Sequence, residues 1–316
     1  MTSRANLFCR TATTFTPDGR FDAASFPDFL QRFVENGIGV YLGSAGSGES
    51  GSMTLAELTR LYEIGVDTCK DSIPVHANPP EKPSVRETIE HMQLAIRAGV
   101  EIVNLYGPAS SHGYKPTDAE LRAFYREVLT AIRHPIALSP NPSIGHAPSA
   151  QSVAELCHEH HQIVAINLID QGDDYFIELQ DRLRRHVDLN VQITGSMELL
   201  LLGASAVVGA ESNMIPRTYR KYMDLVQAGD LLAAARQYAD IKRFNRYVAA
   251  WRGAHPRWIK MMMKVMGMPG HGLREPYVMP AEAELASFKA GLLGLGLPEI
   301  NELAGSAVPD AATRRR

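Results

Sequence analysis

Eight short apolar runs, each followed by a longer segment of helical periodicity, fill the first two thirds of the chain. The runs lie near 5–12, 38–43, 73–77, 101–106, 135–139, 162–167, 190–194 and 205–209. Between them, residues 23–35, 54–69, 84–98, 117–133, 149–158 and 174–186 carry apolar residues at helical spacing. Thr54, Ser84, Thr117 and Ser149 stand where N-caps belong, and Glu57, Glu87 and Glu120 follow the first three at capping-box spacing. Eight strand–helix units in succession bury their apolar faces as a closed parallel barrel rather than an open doubly wound sheet. The predicted fold is α/β, a (β/α)8 barrel over residues 1–214. Beyond it, 217–228, 231–247, 257–266 and 280–293 are helical in pattern, which predicts a C-terminal helical layer packed on the barrel at 215–297. The remainder, 298–316, turns small and polar and ends in three arginines, so a flexible tail is expected there.

Composition narrows the functions. A chain of 316 residues with 45% hydrophobic and 21% charged residues suffices for one large core. A net charge of -3 lacks the concentrated basic surface that nucleic acid requires. No apolar run approaches the ~20 residues of a membrane span, nor is there a signal core at the start. Cys9, Cys69 and Cys157 leave an odd thiol and no close pair, which fits a reducing, cytoplasmic compartment. No cofactor motif is present, and a small-molecule partner is expected.

The loop after the second strand, Gly43-Ser44-Ala45-Gly46-Ser47-Gly48-Glu49-Ser50, has a physical rationale of its own. Its glycines free backbone N–H groups to turn toward a ligand, and Ser44 and Ser47 add hydroxyls, which together could nest a carboxylate. The bland alternative is a turn that only reverses the chain.

Four motifs in order resemble the family of 4-hydroxy-tetrahydrodipicolinate synthase and N-acetylneuraminate lyase. They are Thr13-Thr14-Phe15-Thr16-Pro17-Asp18-Gly19, the glycine loop just described, Gly209-Ala210-Glu211-Ser212-Asn213-Met214-Ile215-Pro216, and the set Lys260, Gly267-Met268-Pro269, Arg274 and Pro276. The resemblance spans about residues 5 to 296 and implies barrel enzymes that bind pyruvate or other 2-oxo acids as a lysine imine. It also implies a homo-oligomer, dimer or tetramer, with Tyr219, Tyr222 and Leu225 near a subunit interface.

The resemblance fails at its chemical centre. Where the family carries the imine lysine, at the end of the sixth strand, Ile163-Val164-Ala165-Ile166-Asn167 ends in a carboxamide that cannot form an imine. Where the family has a relay tyrosine in Tyr-Asn-x-Pro, this chain has Ser139-Pro140-Asn141-Pro142, whose hydroxyl can donate a hydrogen bond but shuttles protons poorly. Pro108-Ala109-Ser110 lacks the second relay tyrosine, and Ser143-Ile144-Gly145 lacks the synthase's carboxylate-binding arginine. Synthesis of hydroxytetrahydrodipicolinate is therefore not expected.

By strand-end position the barrel mouth should hold His76, Asn78, Asn104, Tyr106, Ser139, Asn141, Asn167 and Thr194, a neutral set in which only His76 titrates near neutrality. The candidate catalytic residues are Asn167, Ser139 and His76. The candidate substrate-binding residues are Ser44, Ser47, Gly46, Gly48, Asn141 and Gly209. Glu49 is expected to brace the loop, and Asp170, Asp173 and Asp174 to cap the following helix rather than hold a metal. Among the eight lysines, Lys260 and Lys264 are the most plausible substitutes for the missing amine, although both are expected to pack their stems and keep their heads in water. Three functions remain open: a divergent lyase without the imine, a non-catalytic carboxylate-binding or regulatory homologue, and an imine aldolase using Lys260 or Lys264.

Overall fold

The computed structural model describes residues 6–110, 112, 114–142, 145, 148–251 and 256–306. Eight parallel strands close into a barrel in sequence order. They are β1 (Leu7–Arg10), β2 (Gly39–Leu42), β3 (Val75–Ala77), β4 (Ile102–Leu105), β5 (Ile136–Leu138), β6 (Ile163–Leu168), β7 (Asp188–Val191) and β8 (Ala206–Gly209). Closure is made by β1 against β8, with Phe8 opposite Val208.

Helices α1 (Phe26–Val34), α2 (Leu55–Cys69), α3 (Val85–Ala98), α4 (Asp118–Ala131), α5 (Ala150–Glu159), α6 (Asp173–Arg182) and α7 (Ser196–Leu201) fill the connections. Thr54 and Thr117 form reciprocal capping boxes with Glu57 and Glu120. At Ser84 the hydroxyl accepts from the Glu87 N–H, but the Glu87 carboxylate takes the serine hydroxyl instead of its backbone. Several boundaries differ from the sequence pattern; α1 begins at Phe26 rather than 23. β7 begins two residues before the expected 190, which puts Thr194 in a loop. α6 stops at Arg182, short of 186, and the six-residue α7 is too short to leave a periodic signature.

The C-terminal layer comprises α8 (Pro216–Gln227), α9 (Leu231–Ala249), α10 (Arg257–Val265), α11 (Glu282–Gly294) and α12 (Pro298–Ser306). The last corrects the expected tail, because the first part of 298–316 is a helix. It is tied down by Glu299, 6% exposed, whose carboxylate accepts from the N–H groups of Arg217 at 3.0 Å and Thr218 at 2.8 Å, at the start of α8. Residues 307–316 lie outside the described residues. Tyr219 and Tyr222 are fully buried within the chain's own core, so neither side chain is available to a neighbouring subunit as the resemblance suggested. Met261, Met262 and Met263 are buried in that same core.

Candidate active site

A strand exposes alternate residues to each face, so the inner surface of the barrel is built in tiers. Phe8, Tyr41, Ala137, Ala165, Ala206 and Val208 form an apolar cluster inside the barrel, separate from the main core between barrel and helices. Toward the carboxyl ends of the strands the interior becomes polar, and above that polar tier opens a cavity of about 400 Å³. Arg10, Ser44–Ser47, Asn78, Glu81 and Tyr106 line one part of it. Asn141, Asp170, Gln192, Thr194, Gly209 and Glu211 line the rest. This is the face on which barrels of this kind carry their sites.

The polar tier is a connected network centred on Asn104 Oδ1 and Asn167, although Asn104 Nδ2 is buried without an acceptor among the described residues. Asn167 Nδ2 donates to Asn104 Oδ1 at 2.9 Å and to the Tyr41 hydroxyl at 3.2 Å, while Asn190 Nδ2 donates to Asn167 Oδ1 at 2.9 Å. Ser139 Oγ donates to the same Asn104 oxygen at 2.6 Å. All of these side chains are buried, and burial raises the Tyr41 phenol to about 12, which keeps it protonated. Of the expected site residues, Asn167, Ser139, Asn104 and His76 thus sit one tier below the cavity wall. A carboxamide is short enough to be held within the tier, whereas a lysine stem would extend past it.

His76 corrects the sequence reading most directly. Its ring stacks on Phe8 at 4.8 Å and meets the edge of Tyr41 at the same distance. Burial drives its pKa down to about 3, so it stays neutral and is no base near neutrality.

The glycine loop does line the cavity, but its serines are engaged. Ser47 Oγ donates to the Arg10 carbonyl at 2.9 Å, and a hydroxyl has one proton. In the 2.8 Å contact between Ser44 and Ser47, Ser44 must therefore be the donor. Gly48 N–H in turn donates to Ser44 Oγ at 3.2 Å. The chain of donors closes the loop and leaves neither hydroxyl proton for a ligand; a β-carbon at Gly48 would lie 2.8 Å from the Ser44 carbonyl. Gly48 itself is not on the cavity wall.

Beneath the loop, Glu49 adopts a left-handed backbone, φ 54°, with its side chain buried. Its carboxylate accepts from Arg274 N–H at 3.2 Å and lies 3.8 Å from Lys260 Nζ. Lys260 corrects the expectation of a solvated head: the side chain is fully buried, donates to the carbonyls of Gly270 at 2.9 Å and Thr13, and lies over the Phe15 ring. Burial lowers its pKa to about 8 against the pull of Glu49. Lys264 pairs with the exposed Glu282 at 2.7 Å on the surface. Neither lysine lines the cavity. Lys242, on α9, donates to the cavity residue Thr194 at 3.2 Å and is the better placed amine.

Arg10, Glu81, Gln192 and Glu211 on the wall were missed from sequence, whereas Asn78 and Tyr106 were expected at the mouth. Arg10 follows Phe8 on the inner face of β1, one residue beyond an apolar run whose alternation could have revealed it. Its Nη2 is buried without a hydrogen-bond acceptor among the described residues. The Tyr106 hydroxyl meets Arg10 and Asn78, and burial raises its pKa. Burial also raises the Glu81 carboxyl, with Arg10 acting in the opposite direction. Asp170, expected to cap α6, has φ 52° and accepts from Gln192 Nε2 at 3.1 Å; the N-cap of α6 is Gly172. Ser143 and Ile144, noted for the absent arginine, lie outside the described residues.

A closed parallel barrel with a polar cavity at its carboxyl end, lined by a glycine loop after β2 and the segment after β8, defines the class as the (β/α)8 barrels with a small-molecule-sized site at the barrel mouth. Residues 4–293 match the Dihydrodipicolinate synthetase family, and the chain belongs to it. A 4-hydroxy-tetrahydrodipicolinate synthase of Sorangium cellulosum is 28% identical over 288 residues, covering 88% of this chain and 92% of that one. A DapA-like lyase of Rhizobium meliloti, described as uncharacterized, is 24% identical over 300 residues, covering 93% and 97%. Among solved structures, the 4-hydroxy-tetrahydrodipicolinate synthase of Methylacidiphilum fumariolicum superposes with a TM-score of 0.84 at 21% identity, covering 95% of this chain and 99% of that one. YagE of E. coli K12, solved in complex with pyruvate, gives 0.82 at 20% identity, covering 93% and 99%. At such identities the structural likeness speaks for the fold.

Proposed function

We propose that this protein is a lyase that makes or breaks a carbon–carbon or carbon–oxygen bond in a small 2-oxo acid or related carboxylate, without a lysine imine. The reading rests on Asn167. At the position where the family resemblance calls for an amine, the chain has a carboxamide whose donors and acceptor are all engaged by Asn104, Tyr41 and Asn190. Lys260 is equally engaged, by two carbonyls and Glu49. Synthesis of hydroxytetrahydrodipicolinate is not expected, because Ser139 stands where the resemblance has its relay tyrosine. By relationship to the family, we assign a cytoplasmic homo-oligomer.

Intact-mass spectrometry after incubation with pyruvate and borohydride tests the reading, with a lysine-bearing family member as positive control. Unmodified protein, together with saturable pyruvate binding by calorimetry, is the expected result. A stoichiometric adduct would overturn it, and peptide mapping would then be expected to place the adduct on Lys242 rather than Lys260 or Lys264.

A second reading, a carboxylate-binding protein without turnover, is favoured by one observation: the polar tier beneath the cavity is neutral, and its histidine does not titrate near pH 7. Binding with no product over long incubation would establish it.

A further inference from the structure

We propose that Arg10 is the cationic anchor of the cavity. It holds the carboxylate of a monocarboxylate ligand from the β1 side, while the wall at Asp170 and Glu211 selects ligands with hydroxyl or ammonium donors at the other end. The inference rests on the reading of the cavity as a carboxylate site and goes beyond it by naming the group that binds and the ligand class.

Alternation on β1 places Arg10 on the same inner face as Phe8, which belongs to the cluster inside the barrel. Its Nη2 is buried with no acceptor among the described residues. Arg10 is the one Lys or Arg among the described residues that line the cavity, so a carboxylate bound there has this guanidinium as its cationic partner. Tyr106 and Asn78 stand beside it and limit the positions of the fork. Arginine keeps its charge at any relevant pH and presents a planar pair of donors, so it supplies fixed recognition of a carboxylate where an amine would supply imine chemistry. The neighbouring serines do not compete for this role, because their protons already close the loop onto the Arg10 carbonyl and onto each other.

The rest of the wall has the opposite sign. Asp170 lies after β6, three strands around the barrel from β1, and is held by Gln192; Glu211 follows β8. Glu81 stands on the Arg10 side and offsets part of its charge. A ligand with a second carboxylate would meet Asp170 and Glu211, whereas hydroxyl or ammonium groups would find acceptors there.

Calorimetry with pyruvate, gluconate and succinate at matched ionic strength tests this on the full chain. The wild type should bind gluconate at least about tenfold more tightly than succinate. Arg10→Met should weaken gluconate binding by about tenfold or more, and Arg10→Lys should recover part of the loss. Asp170→Asn should improve succinate binding. Unchanged gluconate affinity in a folded Arg10→Met protein would overturn the proposal, as would equal binding of gluconate and succinate, or binding of none of the three by the wild type. If Arg10→Met does not fold, the wild-type preference and the Asp170→Asn response decide. A borohydride adduct would sink the imine-free reading and leave this test intact; unchanged Arg10→Met binding with no adduct would do the reverse.

Discussion

Asn167 and Asn104 meet across the barrel interior, amide to carbonyl oxygen at 2.9 Å, and the same Asn104 oxygen also takes the hydroxyl proton of Ser139. One acceptor thus joins β4, β5 and β6 beneath the cavity floor. Asn167→Ala would leave the Asn190 amide and the Asn104 oxygen each short of a partner. A stability loss of about 1–3 kcal/mol is expected by urea denaturation, along with reduced turnover if the tier orients the ligand. Full activity in this variant would exclude any role for Asn167 in the chemistry.

Lys260 yields a different outcome. Lys260→Met removes the partner of two buried carbonyls and of Glu49, so a loss of roughly 3–5 kcal/mol in stability is expected. The pyruvate affinity of whatever protein remains folded should be unchanged. Loss of affinity without loss of stability would mean that this lysine belongs to the site. Glu49→Gln combined with Lys260→Met should cost less than the two single changes summed, since each removes the other's partner.

His76 sets the acid limb of stability. Its folded pKa of about 3 lies below the ordinary value of 6.5, so the unfolded chain binds the extra proton first. Its contribution is fully present above pH 6.5 and is lost as pH falls toward 3, by up to about 4–5 kcal/mol. Denaturation curves collected across that range should flatten in His76→Phe. The pH–rate profile near neutrality should show no limb that this substitution removes.

The glycine loop separates space from strain. A β-carbon at Gly46 meets nothing within 4 Å, whereas one at Gly48 would lie 2.8 Å from the Ser44 carbonyl and 3.2 Å from that of Thr11. Gly46→Ala should leave stability within about 0.5 kcal/mol of wild type. Gly48→Ala should cost about 1–3 kcal/mol and shift the loop, because backbone atoms cannot move aside as a flexible side chain can. Equal melting temperatures for the two variants would contradict this account.

The barrel was legible because its information is local and repeated. Each strand is a short apolar run, each helix opens at a polar cap, and Thr54 with Glu57 or Thr117 with Glu120 reads the same in sequence and in space. α7 and α12 were missed because six- and nine-residue helices carry little periodicity, and α12 is stabilised from outside by contacts of Glu299 with α8.

What the sequence determined by itself is the succession of eight strands, the family, and the presence of a carboxamide rather than an amine at position 167. What only the tertiary structure decided is depth. His76, Ser139 and Asn167 lie at strand ends like Asn141 and Thr194, yet closure of the barrel puts the first three in a buried tier and the last two on the cavity wall. Closure also brought Arg10, Glu81, Asp170, Gln192 and Glu211 into one cavity from five separate loops and strand ends. Strand spacing fixes which face a side chain points to, but tilt and stagger around a closed barrel fix its height, and that height sets its solvation and the ligand atoms it can reach.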